Sequence, residues 1–237
     1  MTTERQGLHD EESGRLAMYR EIQRSIPGLD TIYRLAAALI AAHASPAPRV
    51  LVVGAGGGRE IETFLADVPA ASITAVDPSA GNLALARHVA GNANGVHFVE
   101  GRMEDLHTDA EFDVATSLLV MHQLPDDGAK LSYLCAIRDR LGVGGALVHA
   151  DVCFDDPDEF ERLVPIYQAY ARHIGASAEA TQLELGTIPA LPAVSSDRIR
   201  ALFEQAGLAS PREVFRSLWY RCWVSGHAPT SSKVLLK

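Results

Sequence analysis

The run Val50-Leu51-Val52-Val53 passes without a polar break into Gly54-Ala55-Gly56-Gly57-Gly58, and a helix-forming stretch from Arg59 to Ala66 follows at once. A short aliphatic run bounded by glycine reads as a strand covered on both faces, which occurs almost only inside a parallel sheet. The glycines let the backbone turn tightly and come close to a ligand. About twenty residues on, a second strand, Ser72–Asp77, ends in an acid. A carboxylate at that strand end can accept hydrogen bonds from both hydroxyls of a ribose.

The dinucleotide fingerprint G-x-G-x-x-G would require glycine at position 59, which is Arg59, whereas the shorter G-x-G-x-G is met by Gly54, Gly56 and Gly58. That position points to a nucleoside cofactor other than a dinucleotide and counts against a nicotinamide-dependent oxidoreductase. The alternation continues with a helix Ser79–Ala90 and strands Val96–Glu100 and Phe112–Leu118. A helix carrying Leu131, Leu134, Ile137 and Leu141 is closed by Gly142, and a turn Gly144-Gly145 leads to strand Ala146–Val152. One helical segment is expected over about 156–185, then a proline-rich link and a helix capped by Ser195 or Ser196 and ended by Gly207. Two β-like runs, Arg212–Leu218 and Tyr220–Ser225, are short-linked and expected to be antiparallel. The expected fold is α/β: a Rossmann-like, doubly wound, mostly parallel sheet with an antiparallel last strand and an N-terminal helical cap.

As domains, this reading gives one unit over 1–237, with a cap at 11–44 and a core at 49–227 that carries a helical insertion at about 156–190. The cap has two apolar stripes, Leu16-Tyr19-Ile22-Ile26 and Ile32-Leu35-Leu39-His43, with Pro27-Gly28 between them and Asp30 or Thr31 as cap of the second helix. Such stripes suit a lid hinged at Pro27-Gly28, and equally a static packing element or a homodimer contact. The first ten residues and the tail APTSSKVLLK read as frayed ends.

Lys and Arg total 21 against 30 Asp and Glu, a formal charge of −9. This balance argues against a sequence-independent nucleic-acid binder. Three scattered cysteines suit neither a disulfide framework nor a zinc site, and no histidine spacing suggests a metal. The polar N-terminus lacks a signal-peptide core and no run is long enough to span a membrane, so a cytoplasmic protein is expected.

Motif by motif from Arg49 to Val152, the chain resembles the class I S-adenosylmethionine-dependent methyltransferases. RVLVVGAGGG is similar to that family's first motif, which implies that Gly54, Ala55, Gly56 and Gly58 pass the methionine portion of the cofactor. ITAVDPS is similar to the second, implying Asp77 on the ribose with Pro78 and Ser79 beside the adenine. HFVEGRMEDL is similar to the third, implying Arg102, Met103 and Glu104 at the adenine edge. FDVATSLLVMHQL is similar to the fourth, implying Ser117, Leu118 and Leu119 along the cofactor and Met121-His122 towards the reaction pocket. The chain departs from the pattern at Val52, where an acid is common, and at Arg102, where an aspartate often reads the adenine. Arg59 is open to two readings, a partner for the methionyl carboxylate or an exposed partner of Glu62.

Transfer of a sulfonium methyl group needs in-line placement of a nucleophile, exclusion of water and at most one base. His122 is the expected base, with a loop-packing role as the alternative. His149 and Asp151 share one face of their strand, and Asp151 could hold an acceptor or cap a loop. Tyr167, Tyr170 and His173 read as a packing stripe, and Trp219, Tyr220, Arg221 and Trp223 as a core cluster or an anion-binding edge. The acceptor is expected to be a small molecule. The alternative resemblance is to carboxy-S-adenosylmethionine synthases of tRNA wobble modification, which would need an arginine, Arg59 or Arg221, near the transferred group. A noncatalytic cofactor-binding protein is a further alternative.

Overall fold

The structure is a computed structural model that describes residue 17 and residues 20–42, 45–107 and 110–226. Leu16, Tyr19, His43 and the two expected frayed ends lie outside the described residues. Seven strands form one sheet: β1 (Arg49–Val53), β2 (Ser72–Asp77), β3 (Val96–Glu100), β4 (Phe112–Leu118), β5 (Leu141–Val152), β6 (Arg212–Ser217) and β7 (Tyr220–Gly226). Their order is β3-β2-β1-β4-β5-β7-β6. β1 to β5 pair in parallel, and β7 runs antiparallel to both β5 and β6. The strand order reverses beside β1 and β4, which in an open α/β sheet places the ligand crevice at their C-terminal ends.

The period of two along each strand builds the core on both faces. Val50 and Val52 face one cluster with Ile73, Val114 and Val148, covered by α1 (Leu29–Ala42), α2 (Arg59–Asp67) and α3 (Ala80–Ala90). Leu51 and Val53 face the other with Ala115 and Leu147, covered by α4 (Ala129–Arg138) and α7 (Ser196–Gln205). A third cluster around Tyr167 and Trp219 joins β7 to α5 (Glu159–His173) and α6 (Ala178–Thr187).

Three local expectations are corrected. The expected single helix over 156–185 is two, α5 and α6, because Gly175 adopts φ +69° between them and Ser177 caps the second. The helix before β5 ends at Arg138, and β5 begins at Leu141 rather than Ala146. Phe112 pairs with Leu141 and Val114 with Ala146, so the glycines at 142, 144 and 145 form a bulge within the strand rather than a closing turn. A Cβ at Gly145 would lie 2.9 Å from the Gly142 carbonyl oxygen, so the bulge requires glycine there. Third, α1 starts at Leu29, and the Gly28 carbonyl, not Asp30 or Thr31, accepts the first bond from Ile32 at 3.1 Å.

Gly28 itself, at φ +87°, is pressed on Phe215 of β6, where a Cβ would meet the ring at 2.5 Å. Ile32, Ala36 and Ile40 of α1 are fully buried in the same cluster as the central strands. α1 thus completes the core. Among the described residues no helix is long and apolar enough to cross a membrane.

Candidate active site

A cavity of about 1060 Å³ opens at the C-terminal ends of β1, β2, β4 and β5, where Val53, Asp77, Leu118 and Val152 contribute to its wall. Its floor is organised by Asp77, which is 5% exposed. Oδ1 accepts from the Ser79 backbone N–H at 2.8 Å, and Oδ2 accepts from the Gly56 N–H at 3.0 Å. The Asn82 amide adds a contact at 3.3 Å. One carboxylate therefore fixes the glycine loop and the start of α3 together, and Ser79 caps that helix by accepting from Asn82 N–H.

The glycines serve different ends. Gly54 (φ +81°) lies so close to Val120 that a Cβ would meet its Cγ2 at 2.4 Å. Gly58 (φ +78°) lies against the backbone of Ala86, where a Cβ would sit 2.8 Å from Cα, so it lets α2 pack on α3 and does not face the cavity. Gly54, Gly56, Asp77, Pro78 and Ser79 line the cavity, as do Arg102, Met103 and Glu104, with Leu118, Leu119 and His122 beyond them. Ala55, Gly58, Arg59 and Ser117 are not on its wall. Arg59 instead pairs with Glu62 at 2.9 Å and Asp30 at 3.2 Å, as its surface reading expects. Ser117 is fully buried behind the wall and shares hydrogen bonds with the Tyr133 hydroxyl at 2.8 Å and His149 Nδ1 at 3.3 Å.

After β4 the chain turns through Leu119, whose φ of +62° is a conformation that costs a leucine roughly 1–2 kcal/mol. Its N–H is held by the Ala150 carbonyl at 2.7 Å, and a single turn of 3-10 helix, Met121–Gln123, then carries His122 into the cavity wall. The buried Lys130 ammonium donates to the Met121 carbonyl at 2.7 Å and pins this turn. Burial lowers the Lys130 pKa, opposed by Asp151 and Asp126.

Asp151, at the end of β5, meets His122. Its Oδ1 lies 2.6 Å from Nδ1 of the ring and 3.1 Å from the His122 backbone N–H. The Val152 N–H also approaches Nδ1, at 3.3 Å, but a ring nitrogen that donates to a carboxylate has no lone pair left, so the shorter contact decides. Nδ1 then carries the proton and Nε2 is the basic nitrogen. Burial works against ionisation of Asp151, but the charge and hydrogen bonds of His122 outweigh it and hold the carboxyl below its usual range. Its same-face neighbour His149 is kept from protonating by burial and stacks on Trp223, with Nε2 3.6 Å from Asp151 Oδ2, too far for a hydrogen bond.

Two buried acids that accept from hydroxyl groups have no counterpart in the sequence reading. Glu184 of α6 accepts from the Tyr220 hydroxyl, and both residues line the cavity. Glu60, in the first turn of α2, accepts from the Thr116 hydroxyl at 2.6 Å, and burial pushes its carboxyl up to about 8. An acid raised in the folded state stabilises fully below its unfolded pKa and loses that contribution as pH rises through the folded value. Glu60→Gln is therefore expected to gain thermal stability over the parent at pH 8 but not at pH 4, by at most about 4–5 kcal/mol. Melting curves of both proteins at the two pH values check this, and an equal offset at both would contradict it.

Of the expected stripe only Tyr167 is buried, against Trp219, whereas Tyr170 is half-buried and His173 is exposed; Trp219, Tyr220 and Trp223 are buried. Arg221 pairs with Asp155 at 2.7 Å and Glu159 at 3.4 Å, so it binds protein carboxylates and not a ligand anion.

Residues 50–145 match a family model described as a methyltransferase domain. This segment belongs to the methyltransferase-domain family. Around the methyltransferase domain, two curated proteins align at modest identity: an uncharacterized protein of Synechococcus (31% over 134 residues) and a tRNA U34 carboxymethyltransferase of Shewanella piezotolerans (32% over 131 residues). Each alignment takes in 53% of this chain but only 31% and 38% of those proteins. Among solved structures, the 1,6-didemethyltoxoflavin-N1-methyltransferase of Burkholderia thailandensis, bound to 1,6-didemethyltoxoflavin and S-adenosylhomocysteine, covers 94% of this chain and 89% of its own, with TM-score 0.60 at 20% identity. An O-methyltransferase family protein from the same organism covers 89% and 58%, with TM-score 0.63 at 17% identity. At these identities the structures support the fold of the methyltransferase domain.

A methyltransferase domain implies S-adenosylmethionine as the methyl donor, and the residues of the cavity fit it. Asp77 is a buried carboxylate on the cavity wall, Gly54 and Gly56 keep side chains off the same wall, and Met103 offers an apolar surface for a base.

Proposed function

We propose that this chain is an S-adenosylmethionine-dependent methyltransferase that acts on a hydroxyl group of a small molecule. The observation that carries this reading is the Asp151–His122 pair on the wall of the cavity that also holds Asp77 and the glycine loop. When bound, the cofactor supplies an electrophilic methyl group on its sulfonium. Asp77 would hold the ribose hydroxyls, and the backbone at Gly54 and Gly56 would border the methionine portion. His122 Nε2 would take the proton of the attacking hydroxyl, while Asp151 keeps Nδ1 protonated and stabilises the imidazolium that results. A neutral amine attacks through its own lone pair and gains less from such a base, so the pair favours oxygen as the nucleophile.

The name of the Shewanella relative raises a tRNA acceptor and a carboxymethyl group. Charge and pairing weigh against both here. The chain carries −9, and the two arginines that such chemistry would use, Arg59 and Arg221, are neutralised by protein carboxylates. The walls contributed by α6 and by Ile22 and Ile26 suit a small, largely apolar acceptor.

Calorimetry with S-adenosylhomocysteine and NAD in parallel tests the cofactor half: the first should bind and the second should not. Binding of NAD alone would overturn the reading. Incubation with a trideuteromethyl-labelled cofactor and a small-molecule cell extract, read by mass spectrometry, tests turnover, and cofactor binding without any labelled product would favour the noncatalytic alternative.

A further inference from the structure

Glu184 sits where a helix glutamate is ordinarily solvated, yet it is 6% exposed and lines the cavity together with Tyr220, His122 and Gln23. No ion pair to Glu184 exists among the described residues; its partner is the Tyr220 hydroxyl, which donates to Oε1. Burial pushes its carboxyl up to about 7, opposed by the Trp219 indole and by the charge of His122. A desolvated acid with no cation beside it is costly for a scaffold and common in a site.

Gln23, on the helical stretch 20–25, gives a second and independent observation. Its Nε2 donates to the Tyr33 hydroxyl at 3.3 Å, while its Oε1 is sealed from solvent and accepts nothing. A buried amide oxygen left without a donor costs about 1–3 kcal/mol. The cavity lining thus holds two acceptors with no cation beside them, a desolvated carboxylate and an unpartnered amide oxygen, together with the apolar Ile22, Ile26, Ile188 and Leu191.

We propose that Glu184 and Gln23 bind a second hydrogen-bond donor on the acceptor, so that the substrate is a compact, mostly apolar molecule bearing the hydroxyl to be methylated and a separate N–H or O–H group. This rests on the methyl-transfer reading and narrows it. A carboxylate or phosphate on the acceptor would meet Glu184 and, wherever that acid is ionised, be repelled, which disfavours acidic substrates as a class.

The test uses the full chain saturated with S-adenosylhomocysteine, whose binding is measured first, and four probes titrated by ligand-observed NMR: 2-aminophenol, phenol, 2-methoxyphenol and 2-hydroxybenzoate. Binding of 2-aminophenol should exceed that of 2-methoxyphenol and 2-hydroxybenzoate by about ten- to a hundredfold, with phenol between them. Glu184→Leu and Gln23→Leu should each flatten this order while S-adenosylhomocysteine affinity stays unchanged. Glu184→Gln, which keeps a carbonyl acceptor for the Tyr220 hydroxyl, guards against loss of folding and should retain part of the preference. Equal binding of all four probes, preference for 2-hydroxybenzoate, binding of none, or an order unchanged in both leucine variants would each overturn the proposal. Failure of S-adenosylhomocysteine to bind would instead strike the methyltransferase reading itself.

Discussion

His122→Gln should lower methyl transfer by about 10²–10⁴-fold, the usual contribution of a positioned base, while S-adenosylhomocysteine binds as in the parent. Glutamine fills a similar volume and can still donate to Asp151, but it has no nitrogen able to take a proton at neutral pH. Asp151→Asn tests the partner. Both contacts fall on Oδ1, the His122 backbone N–H at 3.1 Å and Nδ1 at 2.6 Å, so an asparagine with its oxygen at that place still holds the ring but brings no negative charge to stabilise the imidazolium. A loss of rate is expected with the His122 hydrogen bonds, and so most of the melting temperature, retained. Single-turnover rates on an identified acceptor decide the matter: full rate in His122→Gln across the pH range would leave His122 a packing residue.

Asp77→Ala should weaken S-adenosylhomocysteine binding by at least about 100-fold. Three donors lose their acceptor at once: Ser79 N–H at 2.8 Å, Gly56 N–H at 3.0 Å and the Asn82 amide at 3.3 Å. Buried donors left unpaired cost about 1–3 kcal/mol each, so the variant should also melt at lower temperature. Asp77→Asn separates the two effects. It keeps an oxygen for one backbone donor and should fold better than the alanine variant, yet its amide cannot accept from two ribose hydroxyls as a carboxylate can. Calorimetry that finds parental affinity in either folded variant would place the ribose elsewhere.

Much of the fold was legible because a parallel sheet writes itself plainly: the aliphatic runs 72–77, 96–100 and 112–118 have the expected ends, and the last strand is antiparallel as its short link implied. The start of β5 was not, because glycines in a strand bulge and glycines in a turn carry the same local signal. In the site, sequence spacing placed Asp77 and His122 on elements that lead to one crevice. The contact between His122 and Asp151 was hidden, since it arises only when β5 pairs with β4 and brings residues 29 positions apart to one strand end. Glu184 and Gln23 were less visible still. Each reads as an ordinary polar residue on a helix, and only the packing of α6 and the leading helix over the cavity takes them out of water. The pairing of Arg59 with Asp30 was hidden for the same reason, since it arises only when α1 packs beside α2.

The close approach of Gly54 to Val120 bears on how such an enzyme can change over evolution. The glycine loop and the turn that bears His122 are keyed to each other through a gap too narrow for even a methyl side chain. Their spacing is therefore inherited as a unit. The opposite wall is assembled from α6, the turn at Ile188–Ala190 and the leading helix, none of which supplies the Asp151–His122 pair. That wall can therefore be redrawn on its own, leaving the spacing of the glycine loop and the His122 turn untouched.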